Sequence, residues 1–184
     1  MKGMTSLFTV PNAWSGESYS LLLKWGPLDD QQVHAVFGAV WRFPGLTGVY
    51  LRRDREPQEQ HRWSAHEINP LSQLTFGTAT LSGGHPVPCL VTMQRDENEA
   101  VWLDCSFATQ ALPGAGNALC EGASTNESSA EWIHQVEAWL ADLGRAVGAE
   151  VPFDFGLIGY ESALDGTEES QSMEGIPNIR NVVE

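Results

Sequence analysis

Apolar and polar positions along this chain change period block by block, and each change marks an element. Residues 19–25 (YSLLLKW) form a short, mostly apolar run with Tyr and Trp at its ends, cut off at Gly26-Pro27. That pattern predicts a strand closed by a chain breaker. Asp29 or Asp30 then occupies the place of a helix N-cap, and Val33, Val36, Phe37, Val40 and Trp41 recur at the spacing of one helical stripe. Pro44-Gly45 stops the helix, and residues 46–51 (LTGVYL) read as a second strand, completing a βαβ unit.

Residues 52–70 are polar and aperiodic and hold Arg52, Arg53, Arg55 and Arg62, which predicts a loop or a short irregular helix. Strands follow at 75–81, 87–93 and 100–107, joined at Gly83-Gly84 and at 96–99, so the middle of the chain is an antiparallel meander. A turn centred on Glu97 sets Val91 opposite Leu103, Met93 opposite Val101 and Cys89 opposite Cys105. Val87, Cys89, Val91, Met93, Val101, Leu103, Cys105 and Phe107 then form one apolar face, and Trp102, Asp104 and Ser106 lie on the other.

After the Gly/Ala/Asn-rich stretch 110–126, Ser128 to Glu131 matches a capping box. Trp132, Val136, Trp139, Leu140, Leu143 and Val147 form the stripe of a second helix ending near Gly148. A last strand is expected at 153–160, with Phe153, Phe155 and Leu157 on one side and Asp154 on the other. The fold class that results is α+β, two helices packed on one face of an antiparallel sheet. Its order resembles a ferredoxin-like plan with an extra strand, β-α-β-(β)ββ-α-β. One domain is expected over residues 1–163, with an acidic tail over 164–184 whose segment 176–183 could extend a sheet edge.

Charge changes the picture more than composition does. Residues 121–184 hold 13 Asp/Glu against 2 Arg, whereas residues 1–120 hold 11 acids and 8 bases, within a total net charge of −14. Such a field repels nucleic acid and anionic membrane and attracts basic surfaces. No apolar run reaches the ~20 residues that span a bilayer, and the first residues lack the pattern of a secretory signal. A cytoplasmic location is the expectation. Cys89, Cys105 and Cys120 are an odd number with no CxxC pair, against a disulfide framework or a zinc site. A reduced Cys89–Cys105 pair on the core face is the expected state.

Candidate chemistry is sparse. His61 and His66 sit five apart in a loop, and His66-Glu67 lacks the second His of a metalloprotease helix. His34 and His134 flank the two helical stripes. No nucleophile elbow, phosphate loop or dinucleotide fingerprint is present, so neither a cofactor nor a metal is expected. Ser106 has no base nominated beside it. Asp104 and Asp154, both read as outward positions on strands near Trp102 and Ser106, are the one carboxylate pair with a route to acid/base work. They define the rival reading: a small-molecule binding protein or hydrolase using the outer sheet face around Asp104.

A small, acidic chain with seven Trp, an α+β pattern and no catalytic motif resembles the immunity proteins of bacterial toxin systems. The residues that carry the resemblance are the helix-to-strand passage Phe43-Pro44-Gly45-Leu46 through Tyr50-Leu51, the Trp set and the acidic C-terminal third. The resemblance implies a non-enzymatic protein that neutralises a basic toxin, often a nuclease, by covering its active face. The residues expected to meet such a protein partner are Glu161, Asp165, Glu168, Glu169, Glu174, Trp102, Asp104 and Asp154.

Overall fold

The 19–25 run forms the centre of strand β1 (Ser18–Pro27), and Asp29 caps the helix that follows, α1 (Asp30–Arg42). The Asp29 carboxylate accepts from the Gln32 N–H and the Gln32 side chain accepts from the Asp29 N–H, a reciprocal capping box. Val33, Val36, Phe37, Ala39 and Val40 are buried along one side of α1. Strand β2 (Leu46–Tyr50) follows, and the Arg-rich stretch after it is a loop with two short 3-10 turns, Pro57–Glu59 and Ala65–Glu67. The meander consists of β3 (Thr75–Thr80), β4 (Pro86–Arg95) and β5 (Ala100–Ala108). Then come α2 (Glu127–Glu150), β6 (Phe155–Tyr160) and the two-residue β7 (Arg180–Asn181). This computed structural model describes residues 6–81, 84–112, 127–160 and 180–181, with the backbone alone at 127–132 and 180–181.

The strands form one sheet in the order β2-β3-β4-β5-β1-β6-β7, every neighbouring pair antiparallel. The architecture is therefore α+β, as the pattern of periods predicts. The strand count exceeds that of a ferredoxin-like plan, and β3, β4 and β5 lie between the two strands of the first βαβ unit. Helix α1 thus carries the chain across three intervening strands. β7 pairs with β6 at Leu157–Asn181 and Ile158–Arg180, so part of the segment expected at a sheet edge is there.

The two faces of the sheet differ. Tyr19, Leu21, Leu23 and Trp25 of β1 share the inner face with Val101, Leu103, Cys105 and Phe107 of β5 and with Val87, Cys89, Val91 and Met93 of β4. All are buried, and both helices lie on this face with Val136, Leu140, Leu143 and Val147 of α2 also buried. The side chain of Trp132 falls outside the described residues. Close packing makes a glycine necessary at position 77, where a Cβ would meet the Trp41 ring at 2.5 Å. Gly48 serves the edge strand differently: it takes φ +82, and a Cβ there would strike the Tyr50 ring. The β2–β3 register shifts between Thr47 and Tyr50 at this point, a local bulge that bends the edge.

Three sequence expectations need correction. The β4–β5 turn centres on Asn98 rather than Glu97. The Asp96 carboxylate accepts from the N–H groups of Asn98 and Ala100, and Glu99 adopts φ 64, lengthening the turn by a residue. Val91 therefore faces Cys105 and Met93 faces Leu103, and Cys89 is not directly opposite Cys105. The slip is an even step, so every residue stays on its expected face. Helix α2 begins at Glu127, which puts Ser128 inside the first turn rather than at the cap. Strand β6 begins at Phe155. Phe153 instead turns in against Trp25, ring centroids 6.1 Å apart, and does not share a face with Phe155 and Leu157.

Part of the outer face is covered by the N-terminal segment. Phe8 and Ala13 are buried, and Phe8, Trp14, Tyr50 and Phe76 stack edge to face in a chain of contacts 5.1 to 5.8 Å apart. The Trp14 indole donates to the Phe8 carbonyl. One carboxylate anchors the segment: Glu56, only 5% exposed, accepts from the N–H groups of Leu7, Phe8 and Thr9 and from the Thr9 hydroxyl. Burial pushes the Glu56 carboxyl up, but the Thr9 hydroxyl and the three N–H groups outweigh it and hold the group at about 2.

Candidate binding surface on the outer sheet face

Beyond the N-terminal segment, the outer face is built from positions that the strand registers place side by side. Lys24, Trp102 and Gln94 form one row, Leu22, Asp104 and Thr92 the next, and Ser20, Ser106 and Leu90 a third. On the other side of β1, Phe155 stands beside Lys24 and Leu157 beside Leu22. The Lys24 ammonium lies 4.4 Å from the centre of the Trp102 ring, a cation–π contact. The Trp102 N–H donates to Asp96 at 3.0 Å, tying the ring to the β4–β5 turn. That bond, with the N–H groups of Ala100 and Asn98, holds the Asp96 carboxyl below its ordinary value against the effect of burial. Trp102 is thus fixed between a cation and a carboxylate and remains partly exposed. Phe155 is 38% exposed, a large apolar side chain on the same row as Lys24.

The arrangement lacks the parts of a hydrolytic centre among the described residues. Ser106 and its neighbour Ser20 are buried, and no histidine lies on the strands of this face. His34 bonds the Asp30 carbonyl on α1, His61 stacks on Trp63 in the Arg-rich loop, and His134 lies beside Glu137 on α2. Among the described residues no group of three or more His, Cys, Asp and Glu side chains is placed to hold a metal ion. The two buried thiols are free. Burial pushes Cys89 up to about 12; burial, with Cys89 and Asp104 nearby, pushes Cys105 well above its usual value. Neither is a thiolate nucleophile at neutral pH.

Asp104 and Asp154 do not form a pair. Asp104 lies opposite Leu22 on the β5 side of β1. Asp154 lies on the β6 side, where its N–H donates to the Lys24 carbonyl and its carboxylate accepts from the Gly26 N–H at 2.7 Å. Two strand spacings and an offset of about three residues separate them, roughly 14 Å. That distance excludes a shared proton or water. Asp154 closes the end of β1, while Asp104 sits in the middle row of the face. Of the other expected contact residues, Trp102 is on this face, and Glu161, Asp165, Glu168, Glu169 and Glu174 lie outside the described residues.

Sequence reasoning missed Glu56. Nothing in the local pattern marks it, because its partners are 47 to 49 residues away in the chain. A sequence signal exists only after the fact: Glu56 precedes Pro57, at the N-cap of a 3-10 turn. It also missed the role of residues 7–14, which supply two buried side chains, Phe8 and Ala13.

No family model matches the chain, and no curated protein and no solved structure matches it either. No helix among the described residues is long and apolar enough to cross a membrane.

Proposed function

We propose that this chain is a non-enzymatic binding protein that masks a basic protein partner, in the manner of an immunity protein neutralising a toxin in the bacterial cytoplasm. The observation that carries the reading is the concentration of 13 Asp/Glu against 2 Arg in residues 121–184, in a chain of net charge −14. A partner with a basic face, such as a nuclease, is drawn to that field and oriented by it. The outer sheet face supports the reading by offering what interfaces use as anchors: a held, partly exposed Trp102, the exposed ring of Phe155 and the charges of Lys24 and Asp104. In this reading the acids Glu161, Asp165, Glu168, Glu169 and Glu174 speed encounter, and the aromatic row retains the partner.

The test is association with the product of the adjacent gene, measured over a salt series. The reading expects the association rate to fall steeply between low and physiological salt, because screening sets in at about 10 Å at 0.1 M. Replacing Glu168, Glu169 and Glu174 by Gln should slow association more than it speeds dissociation. An association rate indifferent to both salt and these charges, or no complex at all, would sink the masking role.

A further inference from the structure

We infer that the groove between the Arg-rich loop and strand β3 is a binding site for a small carboxylate with an apolar, aromatic-sized body. The groove has a volume of about 500 Å³ and is lined by Leu51, Arg52, Arg53, Asp54, Gln73, Leu74 and Phe76. That volume is in the range of small-molecule sites. Its apolar lining comes from Leu51, Leu74 and Phe76, and Leu74 is 59% exposed, the most exposed large apolar side chain among the described residues.

The polar lining selects the head group. Arg52 is engaged with Asp54 in a two-point contact, Nε to Oδ1 at 3.0 Å and Nη2 to Oδ2 at 2.7 Å. Arg53 lines the same groove and makes no ion pair among the described residues. One uncommitted guanidinium therefore meets the ligand, beside the Gln73 amide as a second donor. A planar carboxylate fits a guanidinium fork. A dianion such as a phosphate monoester is disfavoured, since its second charge would lie near the Asp54 carboxylate.

The loop that presents Arg53 is held from within. The Gln60 side chain accepts from the Arg52 N–H and donates to the carbonyls of Arg52 and Arg55, so one amide fixes both ends of the segment. Glu56, next in the chain, is anchored on the N-terminal segment. Ordering this loop costs a ligand little, because the protein has ordered it already. The inference stands apart from the partner-masking reading, which uses neither this groove nor its arginines.

The experiment is a titration of the isotope-labelled full chain with 2-naphthoate, followed by amide chemical shifts, with neutral 2-naphthamide as the comparison ligand. Saturable shifts are expected at Leu51, Arg52, Arg53, Asp54, Gln73, Leu74 and Phe76, with a dissociation constant of about 1 mM or tighter. 2-Naphthamide should bind about tenfold more weakly, and Arg53→Gln should reduce 2-naphthoate to the level of the amide. Arg53 is exposed, so that variant keeps the fold, and unchanged shifts away from the groove check this. Equal binding of acid and amide, an Arg53→Gln variant that binds 2-naphthoate as the parent does, or shifts that fail to saturate would overturn the inference.

Discussion

The inner and outer faces of the sheet are made by the same strands, residue by alternate residue, and they follow different rules. The inner face is apolar and sealed by two amphipathic helices, and its alternate side chains from Tyr19 to Trp25, Val87 to Met93 and Val101 to Phe107 are buried. The outer face is mixed. One part is sealed by residues 7–14, pinned by the Glu56 carboxylate, and another keeps Trp102, Lys24, Gln94 and Phe155 partly or largely exposed. The inner face is held by burial, which is non-directional. On the covered part of the outer face a few directional bonds add to the burial of Phe8 and Ala13, and such bonds fail one at a time when a partner atom is lost.

The largest expected effect of a single change lies on the inner face. Leu140→Ala empties a fully buried site between α2 and the sheet and should cost roughly 2–5 kcal/mol in urea unfolding. A loss below about 1 kcal/mol would mean that α2 is not seated on the core.

Next comes the outer-face clamp. Glu56→Gln keeps the shape but removes the charge that four donors address, and should cost roughly 1–3 kcal/mol. Hydrogen exchange should rise at Phe8 and Thr9 while Leu103 and Cys105 stay protected. The clamp also has a pH signature. The folded carboxyl sits at about 2, below its ordinary value of 4.5, so its stabilisation is fully present above about pH 4.5. It is lost as pH falls from there toward 2. A Glu56→Gln variant should show a flatter loss of stability over that window, and curves that stay parallel would remove the clamp from the account.

Gly77→Ala tests how tightly the inner face is packed. The new methyl would meet the Trp41 ring at 2.5 Å and should cost roughly 1–3 kcal/mol, read as a lowered melting temperature. The smallest effect belongs to the β4–β5 turn. Glu99 holds φ 64 without being a glycine, and Glu99→Gly should change stability by less than about 1 kcal/mol, most of it a gain from relief of that conformation. A loss beyond that would show that the Arg95–Glu99 contact at 3.7 Å matters more than the backbone.

The two faces also differ in how far the sequence foretells them. Val33, Val36, Phe37 and Val40 announce α1 by spacing alone, and Val87 to Met93 with Val101 to Phe107 announce the inner face by alternation. Both signals are local. The exact pairing was not legible, because it depends on whether Asp96 bonds Asn98 and Ala100 and on Glu99 accepting a left-handed turn. The face assignment survived only because the slip was even. The strand order was not legible either, since α1 crosses three strands that appear later in the chain. On the outer face, Trp102 and Asp104 were placed correctly by alternation, but the partnership of Asp104 with Asp154 was not real. Asp154 belongs to the end of a strand, where its carboxylate accepts from the Gly26 N–H. Glu56 and residues 7–14 were invisible for the same physical reason: their energy lies in contacts between distant segments, and no periodicity records those.

In the proposed masking role, stability lies with the inner face and recognition with the exposed row of the outer face. The measurement that tests this most directly compares Trp102→Ala with Leu140→Ala in affinity for the adjacent gene's product and in melting temperature. Trp102→Ala is expected to lower affinity at least tenfold while shifting melting far less than Leu140→Ala does. An affinity left unchanged by Trp102→Ala, in a protein that still forms the complex, would contradict the division of labour between the two faces.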